Sequence, residues 1–316
     1  MSNNTPSHYF EMSTAIKEED EVILCASCGT TGGGDIKLKK CTACYLVQYC
    51  SDECQKDHRP KHEEKCKKRA AEQRDELLFK QPESNHQGDC PICCLPVPLG
   101  LEKSILYPCC SKQICKGCSL ANMKREIWGK LEPKCPFCRK ALPKTQDESN
   151  ERLMKRTEAN DPIAMRHLGM VRDREGDYST AFEYFTRAAV LGDVQAHFEL
   201  SNLYYYGRGV EKDEEKMLHH VEQAAIGGHH DARHNLGCTE GENGQCERAV
   251  KHWSIAAKLG HDRSLECLKV LYEAGHVGKD DFDAALCGHQ AAIDASTSPQ
   301  RKAADEFYAE YERRRI

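Results

Sequence analysis

The cysteines between residues 90 and 138 are spaced closely enough to bind metal ions. The stretch reads CPICC, a gap of 14 residues, CCSKQICKGC, a gap of 16 residues, and CPFC. Two thiolates separated by two residues can hold one side of a tetrahedral zinc ion, which takes four sulfur or nitrogen ligands. The four close pairs within these 49 residues therefore predict two zinc ions.

A second block of potential ligands precedes this one, between residues 25 and 66. Its pairs are Cys25 and Cys28, Cys41 and Cys44, Cys50 and Cys54, and His62 and Cys66. A segment this short cannot bury enough apolar surface to fold by itself. Metal binding must then supply the folding free energy, on the order of 10 kcal/mol for each structural zinc.

The stretch CTACYLVQYCSDECQKDHRPKHEEKC resembles the MYND zinc finger, whose pattern is C-x2-C, then C-x3-CQ, then H-x3-C. The resemblance covers residues 25–66 and implies that the ligands interleave. It gives one zinc the ligands Cys25, Cys28, Cys50 and Cys54. It gives the other zinc the ligands Cys41, Cys44, His62 and Cys66. The family's binding of proline-rich peptides implies protein or peptide ligands here as well.

Two positions of this finger bear on its ligand set and its peptide recognition. His58 is a rival for the histidine ligand, although His62 has the one-turn spacing to Cys66 that a helix requires. The family usually places a tryptophan just after the position of His58, where this chain has Arg59 and Pro60. That departure leaves peptide recognition open and does not touch the ligand set.

Residues 90–139 resemble the RING finger, in particular its eight-cysteine form, through the segment SKQICKGC and the pairs around it. The resemblance gives the first zinc the ligands Cys90, Cys93, Cys115 and Cys118. It gives the second zinc the ligands Cys109, Cys110, Cys135 and Cys138. Together the two fingers would hold four zinc ions, two in each.

The third and fourth ligands depart from the commoner RING pattern. That pattern would place a histidine at Lys112, and lysine does not ligate zinc at neutral pH, so the adjacent Cys109 and Cys110 are the expected pair. Cys94 is assigned to neither zinc ion. It is either a free thiol or a zinc ligand in place of a neighbouring cysteine.

The RING resemblance also implies a docking surface for a ubiquitin-conjugating enzyme. The residues at the corresponding positions are Ile92, Trp128, Pro136 and Arg139. The alternative is that Ile92 and Trp128 only pack the small core of the finger. A RING contributes no nucleophile and acts by orienting the charged conjugate. No catalytic residue is therefore expected in this chain.

The C-terminal half is a repeat. Small residues recur at Ala164, Ala196, Ala232 and Ser264, and a leucine follows each one four residues later, on the same helix face. Alanine pairs recur at Ala188-Ala189, Ala224-Ala225, Ala256-Ala257 and Ala291-Ala292. The first three of these precede Gly192, Gly228 and Gly260, where a left-handed helix end is needed. Each unit is therefore expected to be two short helices.

The second unit, AHFELSNLYYYGRGVEKDEEKMLHHVEQAAIGG, resembles the Sel1-like repeat, a relative of the tetratricopeptide repeat. About four repeats would fill residues 160–297, and residues 298–316 would form a capping helix with a charged outer face. The histidines at 219–220, 229–230 and 234 look metal-like but lack consistent spacing, so we interpret them as surface or packing residues. Cys238, Cys246, Cys267 and Cys287 are too scattered to predict a metal site.

The predicted fold is two small zinc-stabilised α+β fingers followed by an all-α solenoid. The expected domains are a disordered tail at 1–22, the MYND-type finger at 25–66, a helix and linker at 67–89, the RING-type finger at 90–139, a linker at 140–159, the repeats at 160–297 and the capping helix at 298–316.

Composition limits the function and the compartment. A net charge of −5 argues against a nucleic-acid binder. No run of 18 apolar residues predicts a membrane span, and the polar N-terminus predicts no secretory signal. Of the 20 cysteines, 16 lie between Cys25 and Cys138, nearly all at metal-type spacings. We therefore expect a reducing compartment, either the cytoplasm or the nucleus.

The sequence supports two hypotheses of different classes. In the first, the chain is an E3 ubiquitin ligase or ligase subunit: the RING-type finger recruits the conjugating enzyme, and the repeats hold the substrate. In the second, the chain is a non-catalytic scaffold in which both fingers and the repeats only dock other proteins.

Overall fold

The computed structural model describes residues 24–32 and 36–314 in two compact units. One unit ends at Glu76 and the other begins at Leu77. The tail predicted to be disordered, residues 1–22, lies outside the described residues.

The first unit combines a very small sheet with one long helix. Strands β1 (Lys39–Lys40) and β2 (Gln48–Tyr49) pair antiparallel. Helix α1 (Asp52–Leu78) follows, and its last two residues belong to the second unit. Ser51 begins the helix, because its hydroxyl accepts a hydrogen bond from the Cys54 N–H. This helix carries three of the predicted ligands, Cys54, His62 and Cys66.

The second unit begins with the second finger. Strands β3 (Ser104–Tyr107) and β4 (Lys112–Cys115) form an antiparallel hairpin in which Ile105 faces Ile114. Helix α2 (Lys116–Trp128) leaves β4 without an intervening loop. The finger's core contains the fully buried Val97 and Ile114 among its cysteines.

Helical pairs make up most of the second unit. Their bounds are α3 (Gln146–Glu158), α4 (Pro162–Glu175), α5 (Tyr178–Val190), α6 (Val194–Tyr206), α7 (Glu214–Ile226), α8 (His230–Glu242), α9 (Cys246–Lys258), α10 (Asp262–Glu273), α11 (Lys279–Ser296) and α12 (Pro299–Arg313). Successive pairs from α4 to α11 stack on one another, as a solenoid requires.

The periodic residues of the sequence are the core of this solenoid. Ala164, Ala196, Ala232 and Ser264 are completely buried, and so are the leucines that follow them. Gly192, Gly228 and Gly260 have φ values of 88°, 86° and 95°, the left-handed conformation expected at these helix ends. The fourth alanine pair differs: Ala291 is exposed, and in α11 the buried alanine is Ala285.

The N-caps of the repeats follow the same period and were not anticipated. Asp161, Asp193, His229 and His261 each accept a hydrogen bond from the backbone N–H three residues later. In the third and fourth repeats a histidine Nδ1 thus takes the place of an aspartate oxygen. Aligning the histidines with the period of the repeat would have revealed their role as N-caps.

Three segments outside the repeats make contacts that the sequence did not predict. Residues 140–159 are not simply a linker, because α3 begins at the N-cap Thr145 and buries Leu153 against α4. Residues 77–89 are held by the solenoid: Leu78 packs with Val221 and Leu236, and a buried Arg233 donates to the Leu78 carbonyl. The last helix, α12, lies in the range predicted for the capping helix and packs chiefly on α2 of the second finger.

Candidate metal centres

Four cysteines of the first finger converge on one point. Cys25 and Cys28 lie in a turn, Cys50 follows β2, and Cys54 lies in the first turn of α1. The Sγ atoms of Cys28 and Cys50 are 3.5 Å apart, and those of Cys50 and Cys54 are 3.6 Å apart. The structure therefore brings this predicted set together.

The second group of the first finger mixes sulfur and nitrogen. Cys41 and Cys44 lie in the turn after β1, and His62 and Cys66 lie one turn apart on α1. The Sγ atoms of Cys41 and Cys66 are 3.7 Å apart, and the Sγ atom of Cys44 is 3.1 Å from Nε2 of His62. This predicted set is also brought together.

His58 lies outside that group. Its Nδ1 atom is 3.1 Å from the hydroxyl of Tyr49, and its ring stacks on that of His62 with centroids 5.6 Å apart. His58 thus contacts the ligand His62 but is hydrogen-bonded to Tyr49.

The second finger gathers its first group at the junction of β4 and α2. Cys90 and Cys93 lie in a turn, Cys115 ends β4, and Cys118 lies in the first turn of α2. The Sγ atoms of Cys93 and Cys115 are 3.9 Å apart. Cys94 is exposed and belongs to none of the groups.

The adjacent cysteines of the second finger both contribute to its other group. Cys109 and Cys110 lie in the turn between β3 and β4, and Cys135 and Cys138 lie in the loop after α2. The Sγ distances are 3.3 Å between Cys109 and Cys138 and 3.8 Å between Cys110 and Cys135. Lys112 is exposed on β4, with its Nζ atom over the ring of Phe137.

These distances fit tetrahedral zinc. An ion about 2.3 Å from each sulfur spaces the sulfurs about 3.8 Å apart. Six of the sulfur pairs lie between 3.3 and 3.9 Å apart, and all the ligand atoms of each group lie within 4.8 Å of one another. In both fingers the two groups interleave along the chain. Neither metal site can therefore form until both halves of its finger have come together.

The thiol pKa values within a group diverge, because neighbouring thiols share hydrogen bonds. Backbone hydrogen bonds, first that from Cys28, lower the pKa of Cys25 to about 6, whereas hydrogen bonds with the side chains of Cys28 and Cys54 raise the pKa of Cys50 to about 12. A hydrogen bond from Cys115 lowers the pKa of Cys90 to about 4 and raises the pKa of Cys115 correspondingly. Thiolates packed this closely share protons unless a divalent ion compensates their charge. When bound, zinc would supply that compensation and hold the loops of each finger together.

The residues proposed to dock a conjugating enzyme lie on the surface of the second finger. Trp128 is 80% exposed at the end of α2, and Ile92 is 42% exposed between Cys90 and Cys93. They therefore do not serve as core residues. Pro136 is partly buried, and Arg139 is exposed.

Arg139 is held against α2. It adopts a left-handed backbone conformation with φ of 61°. Its Nη1 donates to Oδ1 of Asn122 at 2.9 Å, and its Nη2 lies 3.6 Å from Oε1 of the buried Glu126. The guanidinium is thus fixed in direction while almost half of the side chain stays exposed.

A further group of possible ligands, His86, His229 and His230, does not fit a metal. The rings stack with interplanar angles of 11° to 24°, and the lone pair of an imidazole lies in the ring plane, so parallel rings cannot direct their nitrogens at one ion. Nδ1 of His229 already accepts from the Ala232 N–H, and its Nε2 donates to Gln195. The stack instead holds His86 on the repeats, where its Nε2 also donates to Gln195.

Acidification will weaken this stack. Burial lowers the pKa of His86 to about 4, lowers that of His229 well below its ordinary value, and lowers that of His230; the positive charge of Arg166 acts in the same direction on His86. The unfolded chain, with pKa values of about 6.5, takes up protons first as the pH falls. Stability is therefore lost between about pH 6.5 and pH 4, by up to about 1.4 kcal/mol per pH unit for each histidine.

Urea unfolding of the wild type and of His86→Gln at a series of pH values measures this effect. The variant should lose less stability than the wild type between pH 7 and pH 5, whereas the exposed His276→Gln should follow the wild type. Because cysteine protonation affects all three proteins alike, equal pH slopes for wild type and His86→Gln would contradict the assignment.

Two protein families match parts of this chain. Residues 25–66 match the MYND finger. Residues 162–193, 194–229 and 230–261 match the Sel1 repeat, and these segments begin at the first residues of α4, α6 and α8. Neither match includes the second finger. The chain thus carries a MYND finger, which implies zinc binding, and Sel1 repeats.

Similar individual proteins add little detail. Chitin synthase regulatory factor 4 of Schizosaccharomyces pombe is 30% identical over 89 residues, which are 28% of this chain and 14% of that protein. The crystal structure of a Sel1 repeat protein from Oxalobacter formigenes is 24% identical, with a TM-score of 0.40 over 59% of this chain and 72% of that one. The structure of c5321, a protective antigen of uropathogenic Escherichia coli with an SLR fold, is 23% identical, with a TM-score of 0.38 over 52% of this chain and 37% of that one.

The two matched modules establish the coarse function. MYND fingers and Sel1 repeats are protein-interaction modules, so the chain is a zinc-finger protein with a protein-binding solenoid. Across residues 24–32 and 36–314, no helix combines the length and the apolar character that a membrane crossing requires.

Proposed function

We propose that the second finger is a RING-type module and that the chain acts as an E3 ubiquitin ligase or as a subunit of one. The observation that carries this proposal is the exposure of Ile92 and Trp128, large apolar side chains beside two interleaved cysteine groups. A finger that served only to hold its own fold would place such side chains in its core, as it does Ile114. Exposed apolar side chains on a small domain favour a protein-docking surface.

The proposed metal centres support this surface. Each of the sixteen predicted ligands lies in one of the four groups, so we propose four zinc ions, two in each finger. One group of the second finger anchors the turn that carries Ile92. The other anchors the loop that carries Pro136 and precedes Arg139. The metals would therefore fix the relative positions of the docking residues.

The mechanism needs no nucleophile from this chain. Ile92, Trp128 and Pro136 would bind the conjugating enzyme, and the fixed guanidinium of Arg139 would hydrogen-bond the enzyme and the ubiquitin attached to it. Restricting the charged conjugate to reactive orientations lowers the entropic part of the barrier. The substrate would be held by the repeats, whose exposed aromatic residues include Tyr205 and Tyr206.

The second candidate function is that of a non-catalytic scaffold, with the same proposed domain organisation. It is favoured by the two matched modules, and the relative from Schizosaccharomyces pombe is by name a regulatory factor. In this case the fingers and the solenoid bring proteins together and no ubiquitin is transferred. We propose a cytoplasmic or nuclear location for either function.

Replacing Ile92 with alanine should slow ubiquitin-chain formation by at least about tenfold, because central apolar anchors of interfaces contribute about 2 kcal/mol or more. Trp128→Ala should behave in the same way. The measurement is chain formation by the full-length protein with ubiquitin, activating enzyme and a panel of conjugating enzymes.

Val190→Ala is the matched control, since Val190 is 81% exposed on α5 of the first repeat. It should leave the rate unchanged. If the wild type forms no chains with any conjugating enzyme, or if Ile92→Ala is as active as Val190→Ala, the ligase proposal fails and the scaffold remains.

A further inference from the structure

The buried arginine of the last helix reaches one of the candidate metal centres. Arg301 lies in the first turn of α12 and is 7% exposed. Its Nη2 atom lies 3.3 Å from Sγ of Cys93 and donates to the Leu95 carbonyl at 3.1 Å. Its Nη1 donates to the carbonyls of Pro96 and Ser296 at 2.6 and 2.5 Å. One side chain thus joins the end of α11 to the turn that carries Cys93.

The charge of Arg301 calls for an anion. Among the described residues no carboxylate lies within ion-pair distance of it, and its carbonyl partners are neutral. A buried cation without a partner is strongly unfavourable. The Sγ atom of Cys93 stands for a thiolate once a metal is bound. Four thiolates around one divalent ion leave an excess of negative charge, which the guanidinium can offset.

The same helix contacts the other ligand turn of this centre. Gln300 donates through Nε2 to the carbonyl of Gly117, which lies between Cys115 and Cys118. A Cβ atom at Gly117 would lie 3.0 Å from Cγ of Arg301, so the helix sits directly on this turn. Lys116 places its Nζ atom 4.7 Å from the ring centroid of Tyr308. Helix α12 therefore covers one candidate metal centre, the group that contains Cys93, Cys115 and Cys118.

We propose that Arg301 and α12 form a metal-dependent latch on the centre of Cys90, Cys93, Cys115 and Cys118. With zinc bound, Sγ of Cys93 would be the thiolate partner of the Arg301 guanidinium, 3.3 Å away, and the docked helix would retain the ion. Arg301 is a positioning residue that acts through Cys93. The latch rests on zinc occupancy of the second finger and does not depend on ubiquitin transfer.

Zinc release from the full-length protein tests the latch. With a chromophoric chelator in excess, Arg301→Gln should release one zinc ion about 10–100-fold faster than the wild type, as is usual for the loss of a hydrogen bond to a ligand. Cysteine alkylation read by mass spectrometry should identify the cysteines of this centre as the ones freed first. Arg301→Lys keeps the charge and should restore part of the retention, whereas the exposed Lys302→Gln should match the wild type.

Two further measurements keep the test independent of folding defects. Gly117→Ala retains the Arg301 guanidinium and every ligand side chain, but its added Cβ pushes on the first turn of α12 at Arg301, and it should accelerate release of the same ion. Hydrogen exchange of α12 in the wild type should rise when that one ion leaves and not when the MYND finger loses zinc.

The outcomes separate the latch from the metal assignment. Three outcomes would each overturn the latch but leave the four metal sites intact. The first is unchanged zinc release in both Arg301→Gln and Gly117→Ala, and the second is equal acceleration of the release of all four ions. The third is hydrogen exchange of α12 that does not change when the ion leaves. Only two zinc ions per chain by native mass spectrometry would overturn the metal assignment of the second finger and the latch with it.

Discussion

Cys44→Ser will unfold the MYND finger and remove zinc from it. Cys44 is fully buried, and its Sγ atom lies 3.1 Å from Nε2 of His62. A serine hydroxyl does not replace a thiolate as a zinc ligand. Because the two groups of this finger interleave, the loss of one ion should release the second as well.

The size of this effect follows from the composition of the finger's core. Among the described residues of the first unit, the buried apolar side chains are Cys25, Cys41, Cys44 and Tyr49, and all but Tyr49 are proposed ligands. Little apolar burial remains once the metal is gone. The expected loss is therefore most of the metal-binding free energy, on the order of 10 kcal/mol.

Native mass spectrometry and backbone NMR of the full chain measure the result. The variant should carry two fewer zinc ions and lose the dispersed amide signals of residues 36–66, while the repeats keep theirs. Cys94→Ser is the control, because Cys94 is exposed and lies outside all four groups. Retention of four zinc ions by Cys44→Ser would refute the assignment of this centre.

Phe185→Ala will destabilise the solenoid by about 3–5 kcal/mol, the usual effect of removing a buried phenylalanine. The ring is 1% exposed and packs with Met165 and Leu200. It also lies against Gly169, where an added Cβ would come within 2.6 Å of Cε1. The packing is therefore tight on the α4 side, and the surroundings have little freedom to close the cavity.

Urea unfolding followed by far-UV circular dichroism measures this change, since nearly all helices belong to the second unit. The midpoint should fall without a change of slope. Tyr205→Ala, which removes an aromatic ring that is 60% exposed, should stay within about 0.5 kcal/mol of the wild type. A Phe185→Ala curve that overlays the Tyr205→Ala curve would contradict this account of the core.

The spacing of residues along the chain was enough to predict the local parts of this protein. Ligand pairs such as Cys41 and Cys44 are set by the length of one turn, and His62 and Cys66 by one turn of helix. The resemblance to the MYND finger is confirmed by a family match, and the resemblance to the Sel1 repeat is confirmed for three of the about four expected units. The RING resemblance, its docking residues and the number of zinc ions stay predictions.

Only the tertiary structure decided the contacts between distant segments. Arg301 meets Cys93 across 208 positions, and His86 meets Gln195 across 109. No local period marks such pairs, because they arise from the way whole helices stack. The structure also shows that His229, which looks metal-like in the sequence, is an N-cap. It shows that α3 packs on the first repeat and that α12 packs on the second finger. The sequence by itself therefore determined the modules, whereas the fold determined how the second finger is built into the solenoid.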